Sequence, residues 1–218
     1  MILSYTEENY VKALLKLTFE SETKEAGTNE LASLLKVKPA TVSDMLKKLK
    51  EKSLVDYKRY GKITLTAKGR KKGIDILRKH RLWETFLFEK LEFSWDEVHE
   101  VAEQMEHIQS IKLVDKLDRF LGYPKFDPHG DPIPNKKGEI SIQFSKTLSE
   151  LDAGSSCKMV GVKDNSSPFL QYIVKVGLGI NKVIKVVSKQ EYDALMVIKV
   201  NGKESTVSNK FAENIFIS

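Results

Sequence analysis

The sequence predicts an α+β chain with a helical front and middle and a small β-rich end. Three observations predict it. Apolar residues recur at helical spacing in successive segments from Thr6 to Leu121. Residues 145–218 break instead into short β-rich runs. Between them, residues 122–138 (GYPKFDPHGDPIPNKKG) hold four of the six prolines and read as irregular connector. With 218 residues, 41% hydrophobic and 30% charged, the chain has the composition of an ordinary globular protein and is long enough for one large domain or two to three small ones.

The first helix is expected over residues 6–20, with Thr6 as N-cap and Tyr10, Val11, Leu14, Leu15 and Leu17 on its apolar face. Gly27 breaks the pattern. Thr28 is then expected to cap a short helix, NELASLLK, that buries Leu31, Leu34 and Leu35. After a turn at Val37-Lys38, Pro39 suits the first turn of PATVSDMLKKLKEK, whose inner face is Val42, Met45, Leu46 and Leu49. Two short helices across a tight turn, the second basic outside, make a helix-turn-helix. Strands at Leu54–Tyr57 and Ile63–Thr66, joined by a basic tip, add the hairpin of a winged helix.

On that head, Thr41, Ser43, Asp44, Lys47 and Lys48 lie on the outer side of the second helix, with Lys58, Arg59 and Lys62 on the wing. Hydroxyls and the acid can read base edges, and the lysines and arginine can contact phosphates. The charge distribution agrees. Residues 1–80 carry 18 Lys and Arg against 10 Asp and Glu, whereas residues 81–126 carry 6 against 10. A basic front before an acidic middle suits a DNA-binding head on a cation-binding body.

A long helix is expected from Arg70 to Leu91, a further one from Ser94 or Asp96 through Ile108, and one more over Leu113–Leu121. Trp83, Phe86, Phe88 and Trp95 are more large apolar groups than so short a segment covers, so a dimer interface is expected there, the alternative being that the C-terminal part covers them. The C-terminal runs LDAGSSCKMVGV, KVIKVVS, ALMVIKVNGKESTVS and NIFIS read as a five- or six-stranded barrel with one helix near Ser167–Val176, and Asn201-Gly202 as a hairpin turn. No apolar run reaches membrane-span length, and MILSYTEENY lacks a signal-peptide pattern. The single cysteine, Cys157, excludes an internal disulfide framework and suits a cytoplasmic protein.

The chemistry concentrates in one window. All four histidines, His80, His99, His107 and His129, fall within fifty residues, beside carboxylates. On a helix His99, Glu103, Glu106 and His107 share one stripe, and His80 and Glu84 form another. One such residue would be an ordinary solvated face; the clustering of every histidine points to a divalent ion such as Mn²⁺, Fe²⁺ or Zn²⁺. No enzyme pattern competes. Glu103 and His107 are four apart, which breaks the Glu-x-x-His of di-metal oxidases, HEVAE is not a metalloprotease motif, and no G-K-[ST] phosphate loop occurs. Ser155-Ser156-Cys157 has no neighbouring histidine to make a nucleophile.

TEENYVKAL, ELASLLKVKPATVSDMLKKL, KHRLWETFL, VHEVAEQMEH, DPHGDPIP and SSPFLQYI together resemble the diphtheria toxin repressor family of metal-dependent transcriptional regulators, including its manganese-responsive branch. The resemblance covers nearly all of the chain. It implies a winged helix-turn-helix over 1–73, a helical metal-binding and dimerisation domain over 74–126, a linker over 127–144 and an SH3-like, FeoA-type β-barrel over 145–218. It also implies two metal sites per subunit, for Mn²⁺ or Fe²⁺. The regulatory one would use Asn9, Glu103, Glu106 and His107, with His80 in this site or its neighbour. The ancillary one would use Glu84, Asp127, His129 and Asp164, in some members with His99. DNA contacts fall on the helix from Pro39 to Lys50, to which Lys38 and Ala40 are added at its start.

Two residues depart from the family pattern: Asn9 stands where the manganese branch has aspartate and the iron branch methionine, and Lys12 where the manganese branch has a further glutamate. The implied function is a cytoplasmic repressor of metal-uptake genes that binds a palindromic DNA operator as a homodimer, with no membrane and no organic substrate. The rival readings are a winged-helix regulator that senses a small organic ligand with structural histidines, and an adaptor whose β-rich end binds another protein.

Overall fold

The computed structural model describes residues 2–20, 23–57, 61–140, 146–190 and 192–218. The chain forms two compact units: residues 1–80, 104–110 and 134–139 in unit 1, and residues 81–103, 111–133 and 140–218 in unit 2.

Unit 1 holds helices α1 (Tyr5–Glu20), α2 (Thr28–Leu34) and α3 (Pro39–Glu51), strands β1 (Val55–Tyr57) and β2 (Ile63–Leu65), and the first part of α4 (Ala67–Leu91). Its core holds most of the residues that the sequence pattern singles out, but Leu34, expected to be buried on α2, is exposed, and Leu17, Leu35 and Met45 are only half-buried. Val11, Leu14, Leu31, Val42, Leu46, Leu49 and Ile63 are all fully buried. Between α2 and α3 the backbone turns left-handed at Lys36 (φ 54°), and the Val37 N–H donates to the Ala32 carbonyl at 3.0 Å. Pro39 then opens α3. Strands β1 and β2 pair antiparallel, Val55 opposite Leu65 and Tyr57 opposite Ile63. The tip, with the expected wing contacts Lys58 and Arg59, lies outside the described residues.

Three helix starts in this part of the chain differ from expectation. Helix α1 begins at Tyr5, so Thr6 is helical, and the Ser4 hydroxyl accepts the Glu7 N–H at 3.3 Å in the capping place. Thr28 is the first helical residue of α2, and the cap is Gly27, whose N–H donates to the Glu30 carboxylate at 2.7 Å. Helix α4 begins at Ala67, three residues before Arg70, because the Thr66 hydroxyl accepts the Gly69 N–H at 3.0 Å and caps it there.

In unit 2, α4 continues to Leu91; α5 (Val98–Met105) and α6 (Ile111–Phe120) follow. Helix α5 is shorter at both ends than the sequence suggests. Residues 94–97 form a turn in which the Glu97 carboxylate accepts from the Ser94 N–H (2.9 Å). Trp83 and Trp95, expected to be exposed, are buried within the chain. Phe88 is exposed as expected, and in the helical part of unit 2 Leu91, Ile111, Leu113, Phe120 and Tyr123 are exposed with it.

The β-rich end is one antiparallel sheet in the order β6-β5-β4-β3-β7. Its strands are β3 (Ser156–Val162), β4 (Val183–Gln190), β5 (Leu195–Val200), β6 (Lys203–Ser208) and β7 (Ile215–Ile217). Helix α7 (Ser167–Val176) lies where it was expected. Leu148, Met159, Leu170, Ile173, Ile184, Val186, Ile198 and Ile215 form the core.

The expected barrel is a correction: among the described residues the sheet is open, with β6 and β7 as its edges. The reason lies in α8 (Asn209–Ala212), a helical turn the sequence reading missed. The Ser208 hydroxyl accepts the Phe211 N–H at 3.1 Å, and Phe211 and Ala212 are buried in the core. The chain is thereby carried from one edge to the other as a helical turn and not as paired strands. Among the described residues β6 and β7 do not pair.

Candidate metal centre and nucleic-acid interface

Two clusters of histidine and carboxylate form, one in each unit. In unit 2 the cluster is built on the DPHGDP loop. The Asp127 Oδ1 atom accepts the N–H groups of His129 (2.9 Å) and Asp131 (3.0 Å), folding the loop around its own first carboxylate. Gly130 takes φ +88°, and a Cβ there would collide with the Val160 carbonyl and Gly161 of β3. The His129 carbonyl accepts the Val162 N–H at 3.0 Å, so the loop is fastened to the sheet.

This fastening aims His129. Its Nε2 lies 3.1 Å from the Trp95 carbonyl, which can only accept, so the ring proton sits on Nε2 and Nδ1 carries a lone pair. Nδ1 then faces Glu84 Oε2 at 3.9 Å and Asp127 Oδ1 at 4.0 Å, with no hydrogen bond of its own. All three side chains are almost wholly buried: 4% exposed for Glu84 and 1% each for Asp127 and His129. Burial, then the nearby Glu84 and Asp131 charges, push the Asp127 carboxyl well above the usual carboxylate range; Arg81 opposes them. Arg81 stands behind the cluster, its Nε 3.6 Å from Asp127 Oδ2 and its Nη1 donating to the Pro132 carbonyl at 2.6 Å.

Buried carboxyl groups gathered around a ring nitrogen that has no hydrogen bond of its own are the donor set of a cation site, and a ring nitrogen tied to a backbone carbonyl is its usual support. Glu84, Asp127 and His129 each offer one ligand atom, all within 4.8 Å of one another. The residues fit a divalent ion. His99 approaches Glu84 at 3.1 Å and Glu103 at 3.5 Å, with both His99 and Glu103 about half exposed. Asp164 is occupied differently, accepting the Ser166 N–H at 2.8 Å before α7.

In unit 1 the cluster is built from α1, α4 and the segment after α5. Helix α5 ends at Met105, so Glu106 and His107 leave the helical stripe expected to hold them with His99 and Glu103, and pack in unit 1. Asn9, the expected partner from the first helix, is exposed. Glu8 takes its place: fully buried, it lies 2.7 Å from His107 Nδ1 and accepts from Gln109 Nε2 at 3.0 Å. Neighbouring positions on a helix point about 100° apart, so one residue decides which face is addressed. Tyr5 stacks on the His107 ring at 4.5 Å. Glu106, also fully buried, lies 2.6 Å from His80 Nδ1 and 2.8 Å from Lys12 Nζ. Burial raises its pKa, but the His80 hydrogen bond and the Lys12 charge outweigh that and hold it below the usual range.

On α3, Lys38, Pro39, Ala40, Thr41, Asp44, Lys47 and Lys48 are exposed and Ser43 is half-buried. The Ser43 hydroxyl donates to the Pro39 carbonyl (3.2 Å) and Lys47 pairs with Asp44 (3.0 Å). Lys62 is exposed at the start of β2. Cys157 is buried, its thiol pushed up to about 11, which leaves it inert.

Family models match the chain in three stretches. Residues 2–63 match the iron dependent repressor N-terminal DNA binding domain, residues 66–135 the iron dependent repressor metal binding and dimerisation domain, and residues 146–218 the FeoA domain. The iron-dependent repressor IdeR of Mycobacterium tuberculosis is 32% identical over 163 residues, covering 71% of this chain and 70% of that protein. The chain belongs to the diphtheria toxin repressor (DtxR/MntR) family of metal-dependent transcriptional regulators.

A solved structure of a manganese-dependent transcriptional repressor in complex with manganese superposes with a TM-score of 0.82 at 30% identity, covering 97% of this chain and 98% of that one. A further similarity is partial: a probable metal transport system membrane protein of Chlamydia trachomatis is 41% identical over 73 residues, and this chain spans only 16% of its length. Among the described residues, no helix is long and apolar enough to cross a membrane.

The family signal finds the histidines and most of the carboxylates. It does not find Glu8, Gln109, Lys72, Arg81 or Asp131. Only Asp131 and Arg81 leave a trace in the sequence, as the second aspartate of DPHGDP and the arginine of KHRL.

Proposed function

We propose that this chain is a metal-activated transcriptional regulator of the cytoplasm, a repressor of metal-uptake genes, that takes Mn²⁺ or Fe²⁺ as corepressor and binds a palindromic operator as a homodimer. The observation that carries this reading is the buried His129 Nδ1, which has no hydrogen bond and faces Glu84 at 3.9 Å and Asp127 at 4.0 Å. Glu84, Asp127 and His129 would hold the ion, with His99 and Glu103 beside Glu84. When bound, a divalent ion supplies positive charge among these carboxylates. An oxygen and nitrogen ligand set without thiolate favours Mn²⁺ or Fe²⁺ over softer ions.

Trp95 holds His129 in the ligating tautomer, and Asp127 gives up the proton its burial retains. Apparent affinity for Mn²⁺ is therefore expected to rise with pH, up to ~10-fold per unit while Asp127 is protonated and one proton leaves per ion. The metal-free chain follows the opposite trend. Because the folded-state pKa of Asp127 is raised, the folded form holds the extra proton, and stability falls as pH rises from the ordinary carboxylate pKa through the raised one. Calorimetry across acidic to neutral pH reads both; a pH-independent affinity would contradict this role for Asp127.

Helix α3 presents Thr41, Ser43, Asp44, Lys47 and Lys48, with Lys38, Pro39 and Ala40 at its start and Lys62 on the wing, to the major groove and its phosphates. In a dimer two such helices read half-sites one turn apart, roughly 34 Å. The apolar residues exposed on α4 and α6 (Phe88, Leu91, Ile111, Leu113 and Phe120) support a dimer face. Lys48→Ala is expected to weaken binding to all sequences alike and lower the salt slope by about 1, whereas Thr41→Ala changes sequence preference. Filter binding across a salt series on operator and random DNA separates the two.

Shifting the chain from 1:99 to 99:1 in favour of the DNA-binding state needs about 5.5 kcal/mol of differential affinity for the ion. Operator binding titrated with Mn²⁺, Fe²⁺, Co²⁺ and Zn²⁺ after chelation tests the reading, and an affinity indifferent to every metal overturns it. In that event, the cavity of about 1290 Å³ lined by Phe88, Trp95, Phe126 and Asp127 becomes the place for an organic effector.

A further inference from the structure

The two clusters differ in one respect that their ligand types conceal. In unit 2 the His129 nitrogen and the Glu84 and Asp127 oxygens face one another, with Arg81 3.6 Å from the other Asp127 oxygen. In unit 1 lysine ammonium groups reach the cluster's own carboxylates. Lys12 Nζ lies 2.8 Å from Glu106 Oε2, the same oxygen that His80 approaches at 2.6 Å. Lys72 Nζ lies 3.6 Å from Glu8 Oε1, which also accepts from Gln109, while Glu8 Oε2 is taken by His107. Lys79 Nζ reaches the Ile108 carbonyl at 3.4 Å. Of the four carboxylate oxygens of Glu8 and Glu106, Glu106 Oε1 alone has no hydrogen bond or close cation, and it faces His107 Nε2 at 4.0 Å.

We propose that the Lys12 ammonium is the resident cation of the unit 1 cluster, so that α1 is clipped to residues 104–110 without a metal ion and the metal response belongs to the unit 2 cluster.

The physical case rests on charge and connectivity. Two buried carboxylates, Glu8 and Glu106, meet two ammonium groups, Lys12 and Lys72, so the cluster is neutralised from within. An ion placed between Glu106 Oε1 and His107 Nε2 would find two ligands and would sit beside a positive charge in a poorly screened interior. A tethered ammonium also gives up no translational freedom on occupying its place, whereas an ion from solution does. The sequence carries this feature at a single position: Lys12, one helical turn after Glu8 and on the same face. The inference depends on the proposed metal-activated function only for where the ion goes instead.

Equilibrium dialysis of the full chain with Mn²⁺ tests it in four forms: the natural sequence, Glu84→Gln/Asp127→Asn, and that double variant with Lys12→Gln or with Lys12→Arg. The expected result is one ion on the natural chain, none on the double variant, one restored by Lys12→Gln and none with Lys12→Arg, which keeps the positive charge. An ion on the double variant with Lys12 intact overturns the proposal, and so does a Lys12→Gln form that folds and gains none. The first of these readings needs no change at Lys12, so it decides even if Lys12→Gln fails to fold. A natural chain that binds no ion overturns the metal-activated function, while the contrast between Lys12→Gln and Lys12→Arg still decides the inference.

Discussion

His129→Ala is expected to abolish metal-dependent operator binding. The variant removes a nitrogen whose lone pair is aimed at Glu84 and Asp127 and whose other ring position is fixed by the Trp95 carbonyl. Loss of a supporting group around a metal typically costs 10–100-fold in affinity, so loss of the ligand itself is expected to cost at least about 100-fold. A stability measurement separates this from simple damage. In chelator the variant loses the buried hydrogen bond to Trp95, which costs about 1–3 kcal/mol when the carbonyl is left unsatisfied. With Mn²⁺ at about one hundred times the natural Kd, the natural chain gains about 2.7 kcal/mol and the variant gains almost nothing. If Mn²⁺ raises the melting temperature of His129→Ala as much as that of the natural chain, His129 is not a ligand.

What the sequence conveyed and what it withheld follow from the range of the forces involved. The apolar faces of α1, α2 and α3 are local periodicities, and Val11, Leu31, Val42, Leu46 and Leu49 are buried as their spacing predicts. Helix α7 is likewise legible, found at Ser167–Val176 as expected. The open sheet was not. Whether β6 meets β7 depends on a four-residue helix that Ser208 caps and Phe211 buries, and no alternation announces it.

The site divides in the same way. The DPHGDP loop announces its ligands because its turn is made by its own residues, Asp127 holding the His129 and Asp131 amides. The unit 1 cluster joins residues nearly one hundred positions apart, such as Glu8 and His107. There a family pattern names the position next door, Asn9, and only the fold shows that the adjoining face is the buried one. Trp95 was misplaced for a related reason. The burial of Trp95 depends on partners distant in sequence, since it joins the core of the β-rich end.

Gly130→Ala is expected to unfasten the metal loop, and a second glycine isolates the cause. Gly130 and Gly122 both hold positive φ, at +88° and +75°, so alanine at either place carries the same backbone penalty of about 1–2 kcal/mol. They differ in what the added methyl meets. At Gly122 nothing lies within 4 Å. At Gly130 the methyl would overlap the Val160 carbonyl and Gly161, so the loop must lift from β3. Lifting it breaks the bond from the Val162 N–H to the His129 carbonyl, and leaving that pair unsatisfied adds about 1–3 kcal/mol. It also moves His129 away from Glu84. Denaturant unfolding should therefore show Gly130→Ala as the more damaging of the two, and Mn²⁺ binding should survive in Gly122→Ala alone. Equal losses in both variants would mean that the backbone conformation, and not the contact with β3, holds the loop in place.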